Sequence, residues 1–279
     1  MTGAQRQQEE TAYVPQDRRR RAPAVIVRAH DRFLAWDHAL VAEFNALGAA
    51  VAARVAAWDL PTRVFKWSLV ASVSFAWVST YLHDDSMTLH RLNGYFALSL
   101  VMFRVVWGFI GAPTARFSNF FAGPLEILSH LRDVAFGRAR HFIGHNPAGG
   151  AMILGLLGIV GLQALTGLFS TDGVFASGPF ADSVGDTLSF TLSMAHKVIA
   201  KLLLLFIAVH VAANVMYQFF KKEPLITAMV TGEKPAGDYV DEPAEGGAGV
   251  VVAITVYATC LGLVLGTVYW FSGSLLGGA

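Results

Sequence analysis

The sequence predicts an all-α integral membrane protein, a helical bundle of five spans preceded by an amphipathic helix. Three observations lead there. Of the 279 residues, 54% are hydrophobic and only 15% charged, where a soluble chain carries about a quarter charged residues. Mean hydropathy is +0.49. The apolar runs are continuous rather than alternating, which selects helices over a transmembrane barrel. This composition excludes nucleic acid as a partner and makes membrane lipid an obligatory one.

Residues 1–30 read as a disordered basic tail, and the run Arg18 to Arg21 as an anchor charge. No apolar h-region lies in this stretch, so no cleavable signal peptide is expected. Residues 31–58 read as an amphipathic helix. Phe33, Leu34, Trp36, Leu40, Val41, Phe44 and Leu47 form its apolar stripe, which suits the membrane interface and a protein partner equally.

Hydropathy places the spans at about residues 64–82, 89–110, 149–169, 188–220 and 248–271. The core therefore occupies residues 59–234. A Gly, Pro and acid-rich linker covers 235–248, and a fifth span with a short tail covers 249–279. Most of the 21 Lys and Arg residues fall on one side if the N-terminus is cytoplasmic, including Arg116, Arg132, Arg138, Arg140, Lys221, Lys222 and Lys234. The opposite loops carry Asp84, Asp85, Asp172, Asp182 and Asp186. The expectation is a bacterial inner-membrane protein with a periplasmic C-terminus.

Cys260 is the single cysteine and no C-x-x-C-H occurs, so no covalently attached c-type haem is expected. Any haem must be held by axial ligands. His196 and His210 supply a pattern for that. A spacing of 14 residues returns nearly to one helix face and separates two side chains by about 21 Å. Two imidazoles on one face at two depths suit two stacked haems, each completed from another helix. Ionisable groups within a span are costly and default to function. His90, at the outer end of the second span, matches His196 in depth, and two imidazoles make a six-coordinate, electron-transferring iron. His210 lies about four turns deeper. The ionisable side chain near that depth on the first span is Lys66.

The chain resembles the bacterial cytochrome b561 family, which includes the cytochrome b subunit of Ni,Fe-hydrogenases. The resemblance is carried by AWDLPTRVFKW (57–67), LHRLNGYFALSLVMFRVVWGFIG (89–111), ARFSNF (115–120), IGHNPAGGAM (143–152), LQALTGLF (162–169), the His196 and His210 pair, and MVTGEK (229–234). It implies a four-helix core binding haem b, with His90 and His196 on one haem and His210 on a second. In the family pattern the partner of His210 is a histidine in R-x-x-H-W, and this chain has Lys66 there.

Three readings of Lys66 stand side by side. A neutral lysine amine ligates the iron opposite His210. Alternatively, the inner haem is five-coordinate on His210 and Lys66 snorkels to the headgroups. In the third, the inner haem is absent. Arg104, 14 residues after His90, reaches the inner depth, where a haem propionate and the lipid headgroups are its alternative partners. His130, His141 and His145 lie in the basic inner loop. There a structural turn and a proton carrier for quinone are the two readings.

The resemblance implies electron transfer between the quinone pool and a periplasmic redox protein such as a c-type cytochrome or a hydrogenase. Two alternatives remain: a stand-alone superoxide:quinone oxidoreductase, and a membrane anchor that has lost its haem. A homodimer is compatible with a bundle this small.

Overall fold

In the computed structural model the described residues are 35, 36, 38–44, 48, 53–82, 86–173 and 176–275. They belong to two units, divided after Ala53. In the first unit, residues 35–36, 38–44 and 48 are helical, and Trp36, Leu40, Val41 and Phe44 are exposed. Phe33, Leu34 and Leu47 of the expected stripe, and the tail 1–30, lie outside the described residues.

The second unit begins with a strand rather than with helix. β1 (Arg54–Ala56) pairs antiparallel with β2 (Glu233–Pro235), Val55 opposite Lys234. The helices follow: α1 (Leu60–Ser79), α2 (Ser86–Ile110), a 3-10 turn at Pro113–Ala115, α3 (Phe117–Phe120), α4 (Pro124–Ala135), α5 (Pro147–Leu168), α6 (Asp186–Val215), α7 (Leu225–Thr231) and α8 (Val250–Ser272). A π-helical turn, Met216–Phe220, extends α6.

Four helical segments are long and apolar enough to cross a membrane: Met87–Ile110, Pro147–Leu168, Asp186–Phe220 and Val250–Ser272. The helix of the first expected span, α1, is outside that set. Its 20 residues include Arg63, Lys66 and four serines, which dilute its hydropathy.

Local chemistry sets the boundaries. Asp59 caps α1, its Oδ1 accepting from Thr62 N at 2.9 Å, with Pro61 in the first turn. Asn146 caps α5 in the same way through Gly149 N at 2.7 Å, followed by Pro147. α8 ends at Gly273, whose φ of +71° lets the chain leave in the left-handed region.

Helix α2 is central. It packs on α1, α5 and α8, and α5 packs on α6, while among the described residues α1 and α6 are not closely packed. The core runs through Phe65 of α1, Leu100, Phe103 and Trp107 of α2, Leu157 of α5, and Leu203 of α6. Ala253 and Cys260 of α8 join the same cluster, so the fifth helix is part of the bundle. Ser72 Oγ donates to Asn93 Oδ1 at 2.9 Å and Asn93 Nδ2 donates to Ser72 O at 3.0 Å, tying α1 to α2. The segment between β2 and α8 is docked: Val240 N donates to His141 O, Ala244 N to Ala56 O and Ala248 N to Ile110 O.

Candidate functional site

The open flank between α1 and α6 holds a cavity of about 500 Å³, lined among others by His90, Gly94, Gln163, Gly167, His196 and Ala200. That volume lies in the ~300–1,000 Å³ range of cofactor and small-molecule sites. His90 comes from the first half of α2 and His196 from the first half of α6. Their ring centroids stand 6.4 Å apart at an interplanar angle of 77°.

Both rings are oriented from behind. His90 Nδ1 lies 3.1 Å from Ala76 O and 2.8 Å from Ser79 Oγ, whose own hydroxyl donates to Ala76 O. His196 Nδ1 lies 2.9 Å from Gln163 O and 3.2 Å from Thr166 Oγ1. A carbonyl oxygen only accepts, so each Nδ1 carries the proton and each Nε2 keeps its lone pair. This is how metal-ligating imidazoles are held. Gln163 Nε2 donates to His196 Nε2 at 3.0 Å, while Gln163 Oε1 is buried without a partner. The 6.4 Å between centroids accommodates one metal bound at about 2.0 Å by each imidazole.

The walls suit a flat macrocycle. A Cβ on Gly94 would meet nothing within 4 Å, so that side of α2 is open space. A Cβ on Gly167 would come within 3.1 Å of His196 Cε1, so the glycine lets the imidazole lie close to α5. Sequence reasoning found the two histidines but not Ser79, Gln163 and Thr166 behind them. The last two are three apart on α5 and share a side of that helix, which was the available signal. The residues present therefore fit haem b at this place.

A wider depression of about 1,280 Å³ adjoins the cavity and shares Arg91, Thr171 and Lys197 with it. Asp172, Asp182 and Asp186 also line it. Asp84 and Asp85 lie outside the described residues.

The other end of the bundle is built differently. Lys66 Nζ lies 3.1 Å from Met229 Sδ and 4.0 Å from the centroid of the Trp58 ring. Asn214 Nδ2 donates to His210 Nε2 at 3.1 Å and to His210 O at 2.8 Å. Among the described residues no hydrogen bond or ring contact joins Lys66 to His210. Arg104 turns inward: it is 1% exposed, and its Nη2 donates to Ala115 O at 2.9 Å.

His145, in the loop before α5, packs on Trp58 at 4.8 Å and on Phe120 at 5.1 Å between centroids. Burial first, then the nearby basic groups Lys66, Arg104, His210 and Lys234, hold its imidazole well below the usual range. Lys234 is 2% exposed and donates to Phe142 O at 2.7 Å; burial lowers its pKa.

No curated protein shows a significant match to the chain. The family model described as prokaryotic cytochrome b561 matches residues 57–232, from the residue before Trp58 to the glycine before β2. That stretch contains α1, α2, α5 and α6, both facing histidines and the cavity between them. The match covers well over half of the chain and shows that it belongs to the prokaryotic cytochrome b561 family, as a multi-pass membrane b-type cytochrome of electron transfer.

Proposed function

We propose that this protein moves electrons between a periplasmic redox protein and the quinone pool, with haem b held by His90 and His196. One observation carries the proposal: two imidazoles face each other across a cavity, each with its Nδ1 proton committed to a backbone carbonyl. Haem b supplies a one-electron iron couple when bound. Everything else is the work of the chain. Ala76 and Gln163 carbonyls fix the tautomers, Ser79 and Thr166 hold the ring planes, and Gly94 and Gly167 leave the space. The Gln163 amide covers His196 Nε2 and has to swing aside for a ligand bond to form there.

The depression beside the cavity, with Arg91 and Lys197 among acids, supports docking of a c-type cytochrome, a hydrogenase or a similar protein at the His90 end. The charge distribution supports a cytoplasmic N-terminus and a periplasmic C-terminus in a bacterial inner membrane. Under the same reading, His210 and Lys66 form a second haem site with Arg104 on a propionate. What supports it is the depth of His210 on α6 and the inward turn of Arg104.

The test is haem per chain by pyridine haemochrome, with a reduced-minus-oxidised spectrum, on detergent-purified protein. At least one haem per chain is expected, lost in His90→Ala and in His196→Ala. Wild-type protein without haem, or both variants with full haem, would overturn the proposal. Two haems per wild-type chain support the second site, and one haem refutes it.

A further inference from the structure

A guanidinium withdrawn from water needs compensation, because an unpaired buried charge costs several kcal/mol. Arg104 has little of it. Its Nη1 is buried with no partner, Nη2 reaches a backbone carbonyl, and its Cζ lies 5.0 Å from the Phe117 ring centroid and 5.9 Å from that of Phe120. His145 packs on the same Phe120, and its Nε2 is also buried without a partner. The hydroxyl of Thr114 is a third unpartnered buried group. Thr114 Cβ lies 3.1 Å from where a Cβ on Gly144 would be, next to His145. Lys66 Nζ sits over Trp58, the other ring on which His145 packs.

The acids of this end are engaged elsewhere. Asp59 accepts from Thr62 N, Trp107 Nε1 and Ala112 N, and Asp241 from Ile143 N and Gly144 N. Among the described residues no carboxylate comes within ion-pair distance of Arg104, Lys66 or Lys234; the ion pair there is His141 with Glu223 at 3.1 Å. Four basic groups, Lys66, Arg104, His210 and Lys234, act on His145. Cationic groups and unpaired hydrogen-bonding atoms thus gather where Asp59 is close enough for its charge to reach Arg104 and Lys66 but forms an ion pair with neither.

We infer that Arg104 and His145, with the Thr114 hydroxyl, form a buried binding site for a small monovalent anion of carboxylate type. Two sources share that chemistry. One is a free carboxylate such as formate. The other is the propionate of a haem at this end, an arm that rests on the second-site reading above. A guanidinium matches a carboxylate through two parallel N–H bonds, and Nη1 still has its donors to give.

The experiment titrates purified wild-type protein with sodium formate, at ionic strength held constant with sodium chloride, and reads Tm. A free-anion site gives a saturable rise in Tm, with affinity about tenfold or more weaker in Arg104→Gln and in His145→Gln. A propionate site gives no rise in the wild type. Instead, Arg104→Gln drops from two haems per chain to one and keeps the His90–His196 spectrum. His145→Gln, a loop change, carries the test if Arg104→Gln does not fold. A Tm indifferent to formate, with haem content unchanged in the variants, overturns the inference. Wild-type protein lacking haem would refute the function proposed above, while the anion titration still decides this one.

Discussion

At the scale of single residues, the His90–His196 site depends as much on what stands behind each ring as on the rings. Ser79→Ala removes the oxygen 2.8 Å from His90 Nδ1 and leaves the Ala76 carbonyl. Groups behind a metal ligand contribute about 10- to 100-fold in affinity. Haem retention under competition with apomyoglobin should fall by about tenfold. Gly94→Leu puts a side chain where nothing now lies within 4 Å. It should abolish haem binding while far-UV circular dichroism stays unchanged. The pair itself was legible in the sequence, because helix periodicity and depth are enough to match His90 with His196. The neighbours of Lys66 were not. Met229 lies 163 residues along the chain, and no periodicity reports a contact across that separation. Arg104 had two sequence readings, and the structure shows it buried.

At the scale of elements, Asp59 joins two helices with one carboxylate. It caps α1 and accepts from Trp107 Nε1 at 2.9 Å near the end of α2. Asp59→Ala loses a cap worth about 1 kcal/mol and leaves a buried indole N–H unpaired, at about 1–3 kcal/mol. Thermal unfolding followed by circular dichroism should show a clear drop in Tm, smaller in Asp59→Asn, which keeps one acceptor.

Helix α4 carries a pH signature. His130 is 7% exposed and packs on Phe142, and burial lowers its pKa against the weaker pull of Asp133 and Glu223. The unfolded chain then takes up a proton near pH 6.5 that the folded chain resists, so stability is full above that pH and declines below it. Between pH 7 and pH 5, His130→Phe should lose less Tm than the wild type. The long helices were readable from hydropathy to within a few residues. β1 and β2 were not, because three residues carry no pattern and their pairing is fixed only by the fold.

At the scale of the whole molecule, the asymmetric charge sets the proposed orientation. Cys260 is buried in the core, so Cys260→Ser gives a background for single-cysteine mapping. A cysteine at Arg138 should react with a membrane-impermeant maleimide only in inverted vesicles, and one at Asp182 only in spheroplasts. The reverse pattern would invert the assignment of the docking side.

The strap of β1 against β2 bears on how the chain is made. The lower part of α1 is fastened by Trp67 Nε1 to Met229 O, by Arg63 to Val230 O, and by β1 to Glu233–Pro235. During synthesis the first of these helices to leave the ribosome therefore waits for some 160 further residues before its fasteners exist. Until then the flank between α1 and α6 has no lock at that end, and it is on this flank that the cavity opens. Residues 229–235, translated late, thus close on the earliest of these helices.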